Sequence, residues 1–145
     1  MQNRLAQLQP LPPLKGTAIF VTARRAGVRT RHQALRCAVE GLRDAWRTQP
    51  NLRLQVACGI GVVALGMAVR LSVTEWLWVS FAIGLVIFAE LMNTAIEQTI
   101  DLTVGLRPDP LARYVKDVSA GSVLVCAILA AVIGGFTFLP HLIRG

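Results

Sequence analysis

Three long apolar runs, separated by short polar breaks, constrain this chain more than any other feature. Leu54 to Val69 carries no charged residue and is flanked by Arg53 and Arg70, whose long stems reach polar surroundings from an apolar layer. With its flanks this run approaches the ~20 residues that a helix needs to span a bilayer, and Gly59, Gly61 and Gly66 suit close helix contact. Trp76 and Trp78 open the second run as interfacial anchors. Apolar residues continue to Ala89, and the helical pattern persists to about Val104. The third run extends from about Val118 to Leu139, where Pro140 is expected to stop it. Backbone polar groups at bilayer depth must pair within their own segment, so each run reads as a helix. The expected fold is therefore all-α and integral to a membrane, with spans over 52–71, 76–104 and 115–140. Composition agrees: 54% hydrophobic and 16% charged residues leave too little polar cover for a water-soluble domain of 145 residues.

The net charge of +7 is concentrated ahead of the first run, in Arg4, Lys15, Arg24, Arg25, Arg29, Arg31, Arg36, Arg43, Arg47 and Arg53. Without aromatic stacking residues or a recognition motif, and followed by membrane helices, this segment reads as contacting anionic lipid headgroups rather than nucleic acid. Residues 1–31, rich in Pro, Arg and Gln, read as a disordered cytoplasmic tail. The short apolar stretch Ala18–Ala23, preceded by Pro10, Pro12 and Pro13, does not read as a cleaved signal. Over 34–48, Leu35, Val39, Leu42 and Trp46 share one helical face and Arg36, Glu40, Arg43 and Arg47 another. That pattern predicts an amphipathic helix lying in the membrane surface, ended by Pro50 and Asn51. Arg107, Arg113 and Lys116 in the second loop, against no Lys or Arg in the 71–75 turn, predict three spans with the N-terminus and second loop inside.

The second span carries a stripe that insertion alone would not require: Glu90, Asn93, Glu97 and Asp101. At 100° per residue these positions fall within a sector of about 80°. At 1.5 Å per residue Glu90 lies about 21 Å beyond Trp76, within the hydrocarbon, and Glu97 about 32 Å beyond it, at the far water boundary. Three carboxylates in one row repel, and the deep one costs a few kcal/mol. Lys116 and Asp117 at the mouth of the third span are expected at the depth of Glu97. A carboxylate removed from bulk water can act as a general base; interfacial carboxylates can hold Mg²⁺ beside phosphate oxygens; a Lys can neutralise charge on a transferring phosphoryl group. The same residues also describe an ion pathway or a polar network that holds an oligomer together. No G-x-x-x-x-G-K-[ST] loop is present. Cys37, Cys58 and Cys126 are widely spaced in apolar helical contexts and read as packing residues rather than a metal or disulfide set.

The order Glu90-Leu-Met-Asn93-Thr-Ala-Ile-Glu97-Gln-Thr-Ile-Asp101, then Leu111-Ala-Arg-Tyr-Val-Lys116-Asp117, resembles the prokaryotic diacylglycerol kinase and undecaprenol kinase family over about residues 34–140. The resemblance implies a homotrimer of three-helix subunits in a bacterial inner membrane, with 32–145 as the lipid kinase domain and active sites shared at the cytoplasmic interface. It implies transfer of phosphate from Mg-ATP to a membrane lipid alcohol. By position, Glu90 corresponds to the general base and Glu97 to a metal-binding carboxylate. Asn93, Glu97, Asp101, Lys116 and Asp117 correspond to residues around ATP, and Arg43 and Trp46 to contacts with the lipid substrate. The family commonly has Glu as a second metal ligand where this chain has Gln49, an amide that can coordinate only through its oxygen. Asp109 and Arg113 stand where His and Lys are frequent. The Ile100-Asp101-Leu102 ending of the stripe and Phe138-Leu139-Pro140 lean toward the undecaprenol branch over the diacylglycerol branch.

Overall fold

The computed structural model describes residues 30–105 and 107–144. The order is α1 (Arg31–Thr48), α2 (Pro50–Ala68), α3 (Val73–Val104) and α4 (Pro110–Arg144). Two compact units divide the chain after Cys37. In the first, Thr30 and Gln33 close a capping box: the Gln33 backbone N–H donates to Thr30 Oγ1 (3.4 Å) and the Thr30 N–H to Gln33 Oε1 (3.1 Å). Helix α1 thus begins at Arg31, ahead of the expected start at 34. The tail expected at the N-terminus lies, up to residue 29, outside the described residues.

The second unit contains α2, α3 and α4, each long and apolar enough to cross a membrane. The chain is an all-α multi-pass membrane protein. Large hydrophobic side chains such as Ile60, Phe88, Val125 and Phe136 are exposed on all three helices, an outward display that suits hydrocarbon and not water. Cross-helix contacts at both ends make α2 antiparallel to α3 and α3 antiparallel to α4, and α3 packs mainly on α4 while α2 leans on α3 over a shorter stretch.

The elements depart from expectation at their ends, and α3 and α4 begin at Val73 and Pro110, ahead of the expected 76 and 115. Pro50 opens α2 instead of ending α1, because a missing N–H costs nothing in a first turn; only Gln49 separates the two helices, with extended backbone (φ −106°, ψ 103°). At its other end α2 stops at Ala68, not at 71. Arg70 adopts φ 57°, and the Leu71 N–H returns to Gly66 O at 3.1 Å, which folds Leu71 into a cluster with Val79 and Phe138. Gly66 permits that closure, since a Cβ there would lie 2.9 Å from both Leu71 Cδ1 and Trp76 Cη2. Finally, α4 continues through Pro140 to Arg144. The proline removes one intrahelical bond, but His141 Nε2 in the next turn reaches Glu75 Oε1 at 2.9 Å. Glu75 also closes a second capping box with Ser72 at the start of α3.

Candidate active site

The stripe lies on α3, a single helix of 32 residues, and the structure gives each carboxylate its own partner. Glu90 is 3% exposed, and its Oε2 accepts from Gln55 Nε2 on α2 at 3.1 Å. One turn on, buried Asn93 donates from Nδ2 to Glu97 Oε1 at 3.1 Å. Another turn on, Asp101 Oδ1 accepts from Lys116 Nζ on α4. Asn93 therefore stands between Glu90 and Glu97, and the one ammonium among the described residues meets the outermost carboxylate. Sequence depth alone sets Lys116 level with Glu97; the structure sets it one turn lower, because the short α3–α4 connection brings the first turns of α4 alongside the last turns of α3.

At the mouth, Arg113 and Asp117 form an exposed i,i+4 pair (3.8 Å). Asp101, Arg107, Asp109, Arg113, Lys116 and Asp117 line an open cleft of about 320 Å³. Asp109, without a role in the sequence pattern, caps α4: Oδ1 accepts from the Leu111 and Ala112 N–H groups at 2.8 and 2.9 Å, and Pro110 occupies the first helical position. Gly105 ends α3 with φ 63°, turning the chain into the cleft.

Three buried polar atoms have no partner among the described residues: Gln55 Oε1, Asn93 Oδ1 and Ser119 Oγ. They come from α2, α3 and α4 respectively, and none lies toward the Ser72 end. Native interiors rarely leave such atoms unpaired, and two of the three belong to the amides that bond Glu90 and Glu97. No group of three or more His, Cys, Asp or Glu side chains suited to a metal occurs among the described residues. Adjacent oxygen donors on the stripe are the Glu97 carboxylate and Asn93, whose Oδ1 is orphaned. Those donors fit a cation such as Mg²⁺, which takes one or two carboxylates and completes its shell with phosphate oxygens and water.

Of the other residues singled out in the sequence, Gln49 caps α2 without engaging its side chain. Arg43 and Trp46 are exposed on α1 and take no part in the bonds that organise the stripe. Gln55 escapes a reading by spacing, although it carries a signal: it is the one amide in an otherwise apolar run. Ser119, 5% exposed one turn beyond Lys116, carries no such signal.

The prokaryotic diacylglycerol kinase family model matches residues 36–138. The chain is 39% identical over 105 residues to an undecaprenol kinase of Bacillus subtilis, covering 72% of this chain and 85% of that protein. It is 33% identical over 155 aligned positions to a diacylglycerol kinase of Synechocystis, covering 99% of this chain and 87% of that one. A diacylglycerol kinase of Helicobacter pylori is 28% identical, with 79% and 89% covered.

Proposed function

This chain belongs to the prokaryotic diacylglycerol kinase family, and from that membership we propose that it transfers the γ-phosphate of ATP to the hydroxyl of a membrane lipid alcohol. Undecaprenol is the favoured acceptor and diacylglycerol the next. The observation that carries the reading is the depth order down the α3 stripe: a buried carboxylate, Glu90, then an amide–carboxylate pair, then Asp101 with the α4 ammonium of Lys116 at an open cleft. A lipid hydroxyl meets the first from the hydrocarbon side, and a nucleotide meets the last from water.

In this reading Glu90 takes the hydroxyl proton as the lipid oxygen attacks the γ-phosphorus. A new O–P bond forms, the bond to the β–γ bridging oxygen breaks, and ADP leaves with that electron pair. Lys116 moves from Asp101 onto the phosphates, where its charge is worth more in the transition state than in the ground state. Asp101 and Asp117 hold Lys116 and Arg113 at the cleft until nucleotide arrives. Glu97 and Asn93 Oδ1 would hold Mg²⁺, which supplies neutralising charge along the phosphates when bound. Gln49, its side chain uncommitted to the cap, stands as a neutral second ligand contributed through its oxygen. Arg43 and Trp46 on α1 would meet the lipid headgroup. We further propose a homotrimer in a cell membrane, with the cleft on the cytoplasmic side.

Purified full-length protein in bilayers, given γ-labelled ATP, Mg²⁺ and separately undecaprenol, diacylglycerol or ceramide, tests the reading. Label is expected first in undecaprenol. A folded protein that labels none of the three overturns the kinase reading, and preference for diacylglycerol overturns the substrate assignment alone.

A further inference from the structure

Gln55 interrupts the apolar α2 with one amide, and that amide reaches across to α3. Its orientation follows from chemistry: a carboxylate only accepts, so Nε2 must face Glu90 and Oε1 must face away. Oε1 is buried and pairs with nothing among the described residues. Burying an amide oxygen unpaired is costly, and an apolar side chain of the same length would join α2 to α3 without that cost. The retained amide therefore points to a task at Glu90. A glutamate has three rotatable bonds, the last of them with a broad torsional profile. A donor fixed on Oε2 sets the plane of the carboxylate and leaves its second oxygen to the substrate. Gln55 also lines an apolar cavity of about 400 Å³ among the three spans, as the only amide on its wall among the described residues. There a hydrogen bond competes with little water.

We propose that Gln55 is a positioning residue for Glu90, orienting the carboxylate that receives the lipid proton. The inference rests on the general-base role given to Glu90 above. It predicts a loss in kcat with little change in KM, because the amide touches neither ATP nor the lipid hydroxyl.

Full-length protein in bilayer nanodiscs is compared as wild type, Gln55→Met, Glu90→Asp and the double variant. Met keeps the length of Gln and removes the donor; the shorter carboxylate of Glu90→Asp falls short of the amide. Gln55→Met is expected to lower kcat roughly 10- to 100-fold, the scale of a misplaced catalytic group, with both KM values within about twofold. In the Glu90→Asp background the same change should cost nothing further, since effects that pass through one bond are not additive. Independently of turnover, the Gln55 side-chain amide resonances, identified by their loss in Gln55→Met, should move on Glu90→Gln. Additive losses, a change confined to KM or thermal stability, or resonances that stay put overturn the positioning role while an active wild type leaves the kinase reading intact. A wild type that phosphorylates no lipid overturns the kinase reading and, with it, this role.

Discussion

Two ends of the α3–α4 hairpin solve the same problem in opposite ways. At the Ser72 end, Glu75 Oε2 accepts from both the Ser72 N–H and its hydroxyl at 2.7 Å, and Oε1 pairs with His141. Nearby, Leu71, Val79 and Phe138 form the most enclosed apolar cluster in the described residues. At the other end, amides satisfy Glu90 and Glu97 but bury their own oxygens unpaired, and the cleft stays open. Saturation at one end and orphaned acceptors at the other distinguish a fastening from a receptor. Proteins keep strained or unsatisfied groups mainly where function requires them.

The comparison breaks most sharply if Glu90 proves to be a fastening too. Glu90→Gln keeps the shape and lets its amide oxygen accept from Gln55, but removes the proposed base. Turnover should fall by about 10²–10⁴-fold, the range for a general base, while the proposed trimer and its melting temperature hold. Loss of the oligomer with the substitution would instead make the stripe an assembly device. Lys116→Met comes next. Asp101 and Lys116 are both partly solvated, so the pair adds little stability, yet a cation on transferring phosphate is expected to matter by about 10²-fold in kcat. Equal falls in stability and activity would show that the pair only ties α3 to α4.

Much of this arrangement is legible in the order of residues alone. Run lengths yield three spans, and the helical period puts four polar residues on one stripe. What periodicity cannot report is the partners of Glu90 and Asp101, since these come from other helices at registers fixed by turns. Thus Lys116 reads a turn too deep, because its level depends on how Gly105 and Asp109 shape the connection. Gln55 passes unnoticed because one amide in an apolar run has no spacing to interpret. The end of α4 is misread for a related reason: Pro140 forbids one bond locally, but the Glu75–His141 pair that holds the next turn joins residues 66 apart. Ser72 and Glu75 carry an S-x-x-E cap signature that needs only neighbouring residues to interpret, and it starts α3 at Val73, within the stretch that reads as a turn over 71–75.

At the fastened end, effects should fall on stability and spare catalysis. Gly66→Val drives a branched side chain into Leu71 and Trp76, and overpacking of this kind costs about 1–3 kcal/mol. A lowered melting temperature with normal kcat per folded protein is the expected result; a kcat defect at low temperature would mean that strain at this end reaches the cleft.

The smallest effect sharpens the contrast furthest. His141→Ala removes one of three partners of Glu75 and leaves both Ser72 donors in place. Glu75 then remains capped, α4 frays beyond Pro140 where one intrahelical bond is already missing, and the site lies many turns away along α3. Melting should drop slightly, and kcat should stay within about twofold of the parent, as expected for a partly exposed pair. Thermal melts beside steady-state assays on one preparation decide it. A kcat loss larger than the stability loss would show the two ends to be coupled through α4, and the division between fastening and receptor would then describe two states of one device rather than two separate parts.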